Sequence, residues 1–216
     1  MPVVTIARHF GAGGESVGKM LADRLHADFL GPQLIDEVAH RLELPKEEVI
    51  AADEQPGSFL QRLLIALAAA SPEHAVTAES PTWTPPYTDP QSDPRRAVLE
   101  YTQQVIREAA RGGNVVILGR GGAYILRDLP GALHVFLRAD EAVRAKTVME
   151  RDNVTEEEAR KRVKHTDENR RAYIRQAYGH TWDLPGHYDV VLDTGRIGYD
   201  ASVEVILAAL KGRSNN

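Results

Sequence analysis

The segment Phe10-Gly11-Ala12-Gly13-Gly14-Glu15-Ser16 narrows the folds open to this chain more than any other. Ahead of it stands a β-branched run, Val3-Val4-Thr5-Ile6-Ala7, which predicts a strand. Behind it, Val17, Met20, Leu21 and Leu25 recur at helical spacing, which predicts a helix over 16–25. A strand, a tight glycine turn and a helix in direct succession open a β-α unit.

The same alternation continues along the chain. Asp28-Phe29-Leu30 predicts a short second strand, and 33–42 and 46–52 predict helices. The apolar stretch 59–70 predicts a third helix, read as core, with a homodimer surface as its other use. The stretch 71–94 holds six of the twelve prolines and no periodicity, which predicts a mobile loop. A helix over 95–111 is stopped by Gly112-Gly113. Val115-Val116-Ile117-Leu118 is apolar throughout, as strands buried in parallel sheets are. Further strands are expected at 133–137 and 188–192. Helices are expected at 141–151 behind Asp140 as N-cap, at 155–177 behind the capping box Thr155-Glu156-Glu157-Glu158, and at 201–210. Strands alternating with helices predict one α/β domain, a parallel sheet covered on both faces.

The 216 residues suffice for one sizeable core. A net charge of −5 makes duplex nucleic acid a poor partner, while leaving room for a local cationic site for a small anion. With no cysteine, disulfides, thiolate metal sites and cysteine nucleophiles are excluded. The first residues lack a secretion-signal pattern, and no apolar stretch approaches the roughly 18 residues of a membrane helix. A cytoplasmic protein without a membrane partner is the expectation.

Glycines between a strand and a helix let backbone N–H groups approach an anion, and the helix N-terminus adds partial positive charge there. Ser16 offers a hydroxyl of the kind that supports Mg²⁺ at phosphate loops. The segment departs from the phosphate-loop pattern G-x-x-x-x-G-K-[ST], because His9 stands at the first glycine and Glu15 at the lysine. Arg8, or Lys19 one helical turn on, is the candidate for the missing cation. Arg120 follows the apolar strand directly, between Gly119 and Gly121, where ligands of open α/β sheets bind and where a guanidinium can fork onto a phosphate. The flanking glycines are expected to keep its approach clear. Between 138 and 175 stand eleven basic and nine acidic residues, the pattern of a solvated helix, yet Arg160, Lys164, Asp167 and Arg171 form one stripe with Arg170 beside it. Such a helix pair can also close over phosphates as a lid. Tyr173, Tyr178 and Trp182 are read as packing its hinge. The histidines show no metal spacing and are read as surface or core.

These residues resemble the cytidylate kinase-like family. The likeness is carried by Ile6 to Gly14, by Gly119-Arg120-Gly121-Gly122-Ala123-Tyr124-Ile125-Leu126 with Arg144 after it, by Arg151-Asp152 through Asp167-Glu168-Asn169-Arg170-Arg171-Ala172-Tyr173, and by Tyr188 to Thr194. The resemblance implies a P-loop NTPase-like three-layer sandwich with a five-stranded parallel sheet (1–30, 96–139 and 186–216), a helical monophosphate-binding insertion at 31–95 and a helical lid at 140–180. It implies ATP and Mg²⁺, with the γ-phosphoryl group passed to (d)CMP, another nucleoside monophosphate or another small phosphate acceptor. The amides of Gly11, Ala12, Gly13, Gly14, Glu15 and Ser16 would hold the donor phosphates, Arg120 would grip the acceptor phosphate, and Arg170, Arg171 and Arg151 would cover the transferring group. Asp167 would orient a lid arginine or meet the acceptor sugar. The family pattern has an aspartate where Gly121 stands and a carboxylate where Leu118 ends the strand. An active kinase and a catalytically weak or inactive nucleotide-binding module on the same fold are the two readings. A third has the 71–94 loop as a protein contact.

Overall fold

The computed structural model describes residues 1–31, 33–42, 45 and 94–213. The expected helices at 46–52 and 59–70, and the proline-rich stretch up to residue 93, lie outside the described residues.

Five strands form one sheet: β1 (Val3–Arg8), β2 (Asp28–Leu30), β3 (Val115–Leu118), β4 (Ala132–Arg138) and β5 (Val190–Asp193). Their order is β2-β3-β1-β4-β5 and every pairing is parallel. The helices are α1 (Gly14–Leu25), α2 (Gln33–Leu42), α3 (Pro94–Gly112), α4 (Gly122–Ile125), α5 (Glu141–Asp152), α6 (Glu156–Tyr178), α7 (Thr194–Ile197) and α8 (Tyr199–Arg213).

The period of two along the central strands divides the core into two layers. Val3, Val115 and Ile117 face Leu34, Val38, Val105 and Ile106 of α2 and α3. Val4, Ile6, Val116 and Leu118 face Val17, Leu21, Val203 and Ile206 of α1 and α8. The chain therefore leaves β1 toward α1 on one face and leaves the adjacent β3 toward α4 on the other. That divergence is a topological switch point, and it opens a crevice at the carboxyl ends of β1 and β3.

Several boundaries moved for physical reasons. Proline begins α3 rather than closing the loop before it, because a first-turn residue has no helical N–H bond to lose. Asp140 stands at the N-cap of α5, but its side chain makes no capping hydrogen bond. The capping box of α6 forms as read, with Thr155 accepting from the Glu158 amide and Glu158 from the Thr155 amide. β5 starts at Val190, not 188, because Tyr188 is drawn into an aromatic cluster with Phe136, Trp182, Ala123 and Ile174. Tyr173 and Tyr178 pack against the same cluster.

Candidate functional site

A cavity of about 600 Å³ opens at the switch point. It is lined by Arg8 and His9 from the end of β1, by the glycine loop, by Leu118 and Arg120 from the end of β3, and by Arg151 and Arg170 from α5 and α6. Gly13, with a left-handed φ of 73°, is the N-cap of α1, and Gly14, Glu15 and Ser16 form its first turn. The amides of a first turn have no partner inside the helix, so the floor of the cavity presents N–H donors and the positive helix end. Ala12 is the exception among the expected loop contacts. It is buried, its N–H turns to the His9 carbonyl at 3.3 Å, and its carbonyl accepts from the Thr194 hydroxyl at 2.9 Å.

Arg8 runs beneath this floor. A Cβ on Gly14 would press on its stem at 2.6 Å, and one on Gly119 would overlap its guanidinium. Two glycines far apart in sequence thus clear one path, along which the β1 arginine reaches the end of β3. The turn after β3 holds three successive left-handed residues, Gly119, Arg120 and Gly121, with φ of 79°, 54° and 74°. Arginine in that conformation is strained, which is characteristic of functional turns. Contrary to the expectation that they keep the approach to Arg120 clear, the space at the flanking glycines is filled from other residues. Gly119 makes room for Arg8, and Gly121 makes room for the Tyr178 ring, whose hydroxyl donates to the Arg120 carbonyl at 3.4 Å.

Arg170 joins the group by donating to the Arg8 carbonyl at 3.0 Å. Removal from water pushes the Arg8 guanidinium well below its usual value, and the charges of Arg170 and Arg120 push the same way. Burial lowers Arg120 too. Three cations held this close are stabilised by an anion among them.

The loop is tied to the helix pair by one residue. Asp167 of α6 is buried; it accepts from the Phe10 amide at 2.8 Å and from Arg144 of α5 at 2.6 Å. Arg144 also donates to the carbonyls of Phe10 and Ala139. Asp167 is therefore spent on shaping the loop and pairing Arg144, with Arg170 farther off at 3.8 Å.

The remaining expected residues divide. Glu15 and Lys19 line the cavity and pair with each other at 2.7 Å, both about half exposed, so the carboxylate at the lysine position carries its own counter-ion. Arg151 lines the mouth and chelates Asp152. Arg171 points elsewhere: it pairs with Asp183 at 3.1 Å and lies over Trp182. His9, read as surface or core, lines the cavity with its ring edge-on to Phe136 and Trp182, and burial lowers its pKa. The sequence alone assigns no role to Phe10, Arg144 or Tyr199. The phenol edge of Tyr199 covers Gly13 and lines the cavity, and no local pattern announces that contact.

Among the described residues no group of three or more acidic or histidine side chains could hold a metal. The loop offers the exposed Ser16 hydroxyl and the Glu15 carboxylate. Mg²⁺ takes most of its ligands from phosphates and water, so this donor set fits an ion carried by a polyphosphate and not one held by protein alone. No helix among the described residues is long and apolar enough to cross a membrane.

Comparisons with known proteins bear on the family and the fold. Cytidylate kinase from Methanopyrus kandleri is 32% identical over 112 residues, which is 48% of this chain and 58% of that one. Cytidylate kinase from Pyrobaculum neutrophilum is 34% identical over 101 residues, 46% of this chain and 54% of that one. The matches thus span little more than half the length of these curated relatives. Among solved structures, an uncharacterized protein from Eubacterium ventriosum superposes with a TM-score of 0.68 at 22% identity, covering 98% of this chain and 99% of that one. Shikimate kinase from Bacteroides thetaiotaomicron gives 0.54 at 14% identity, covering 96% and 97%, and shares the fold. The model of the cytidylate kinase-like family matches residues 3–196, and the chain belongs to that family.

Proposed function

We propose that this protein is a nucleotide-binding phosphotransferase that passes the γ-phosphoryl group of ATP to a small phosphate acceptor, a nucleoside monophosphate such as (d)CMP. The observation that carries this reading is the convergence of Arg8, Arg120 and Arg170 on one cavity floored by a helix N-terminus. Kinship with cytidylate kinases supports the acceptor class.

Such a transfer demands in-line positioning and neutralisation of charge more than covalent help. In this reading the first-turn amides of α1 and the Ser16 hydroxyl hold the donor phosphates. Arg8, coming from β1 under Gly14, supplies the cation that Glu15 does not, and Lys19 keeps Glu15 paired. Arg120 takes the acceptor phosphate. An oxygen of that phosphate attacks the γ-phosphorus, the bond to the β-γ bridging oxygen breaks, and ADP leaves. Arg170 and Arg151 stand where negative charge spreads in that transition state. Bound Mg²⁺ would supply further neutralisation of the donor oxygens, with Ser16 the protein group placed to hold it.

A second reading, a weak or inactive nucleotide-binding module, is favoured by Glu15 at the lysine position and by Leu118 where a carboxylate would end β3. ADP release from ATP and Mg²⁺ across a panel of nucleoside monophosphates separates the two. Acceptor-dependent release identifies a kinase and its acceptor. No release, in protein that ATP still protects against heat, leaves the binding module.

A further inference from the structure

Phe10 stands at the second position of the loop, where the phosphate-loop pattern specifies no residue. Here it is held through both its backbone and its side chain. Its amide is held by Asp167 and its carbonyl by Arg144. Its side chain packs against the small cluster Ala145, Val148, Ala159 and Val163 that joins α5 to α6. Over its ring lie two guanidiniums, Arg151 at 5.0 Å and Arg170 at 5.6 Å from the centroid. Both arginines line the cavity, together with Phe10 itself.

An arginine at the mouth of an open cavity has much rotamer freedom to lose on gripping an anion. An aromatic face holds a guanidinium electrostatically without using its N–H donors, and here it adds to the contacts those donors make, Arg151 with Asp152 and Arg170 with the Arg8 carbonyl. Phe10 is moreover fixed through its own backbone, so the two arginines are positioned relative to the loop that floors the site. We infer that Phe10 is a positioning residue: it seats Arg151 and Arg170 over the glycine loop before the ligand arrives, so that a polyphosphate meets a cationic roof already in place. This inference rests on the phosphate-binding reading of the cavity.

The test is a double-mutant cycle on binding of inorganic tripolyphosphate, followed by isothermal titration. Phe10→Leu retains an apolar side chain for the α5–α6 cluster and removes the aromatic face; Phe10→Tyr retains the face. The expected results are a loss of about 3- to 10-fold in affinity for Phe10→Leu, near-parental affinity for Phe10→Tyr, and less than about 2-fold further loss when Phe10→Leu is added to Arg151→Ala/Arg170→Ala. Urea unfolding run alongside confirms that each variant is folded at the titration temperature, and a Phe10→Leu protein that is not is replaced by Phe10→Met. Equal losses from the Phe10 change with and without the arginines, or no loss at all, would overturn the inference and leave the cavity reading intact. A parental protein that binds no tripolyphosphate overturns both.

Discussion

Replacing Asp167 by alanine should unsettle this protein far more than its place on a highly charged helix suggests. The residue is 4% exposed, and its carboxylate pairs with Arg144, itself 8% exposed, at 2.6 Å. Truncation leaves the Arg144 guanidinium buried without its counter-charge, a loss of about 3–5 kcal/mol when one partner of a buried pair is removed. The Phe10 amide loses its acceptor at the same time. Against a total stability of about 5–15 kcal/mol, that is a large fraction. For a chain of this size each kcal/mol moves the midpoint by about 2–4 °C, so the melt should fall by about 6–20 °C. Circular dichroism melts of Asp167→Ala, Arg144→Met and the double variant Arg144→Met/Asp167→Leu test the reasoning. The double variant should recover most of the loss, because exchanging both charges for apolar groups leaves no stranded ion. A melt of Asp167→Ala within about 2 °C of the parent would refute it, and so would a double variant as unstable as the two single losses added together.

Acid should weaken the fold through His134, which is buried with Nδ1 2.8 Å from the Thr5 hydroxyl and whose pKa burial lowers from the ordinary 6.5. The unfolded chain takes up the proton first as pH falls below about 6.5, so stability drops from there down to the lowered folded value and is flat above; urea midpoints at pH 5.5 and 7.5 should differ less in His134→Gln than in the parent. If Arg8 replaces the missing loop lysine, Arg8→Met should weaken ATP binding by about 10- to 100-fold, the worth of a charge-assisted hydrogen bond, whereas Lys19→Met, exposed and paired with Glu15, should change it by less than about 3-fold. Titration of both variants with ATP checks the assignment, and the reverse ranking would hand the role to Lys19.

The sheet was legible because its signals are local. Val115-Val116-Ile117-Leu118 has no polar residue to place it at a surface, and the glycine turn marks the end of β1 without reference to anything distant. What sequence missed depends on contacts between remote residues. Gly14 and Gly119 read as openings for an anion, yet each is small because Arg8 passes it. Four-residue spacing groups Arg171 with Asp167, but the inward stripe of α6 is Val163, Asp167, Arg170 and Ile174. Buried Val163 and Ile174 fix that phase, and it turns Arg171 about 100° away, toward Asp183. Arg144 does carry a local signal: it shares the buried stripe of α5 with Ala145 and Val148, where an arginine needs a buried partner.

The most direct test of the account is acceptor-dependent ADP release measured for the parent, Arg120→Ala and Arg171→Ala side by side. Arg120 lines the cavity and Arg171 lies outside it, so the two changes remove the same charge from two different places. The account predicts that Arg120→Ala lowers the rate by at least about 10-fold and that Arg171→Ala stays within about 2-fold of the parent. Release that survives in Arg120→Ala, or is lost in Arg171→Ala with the fold intact, would contradict it.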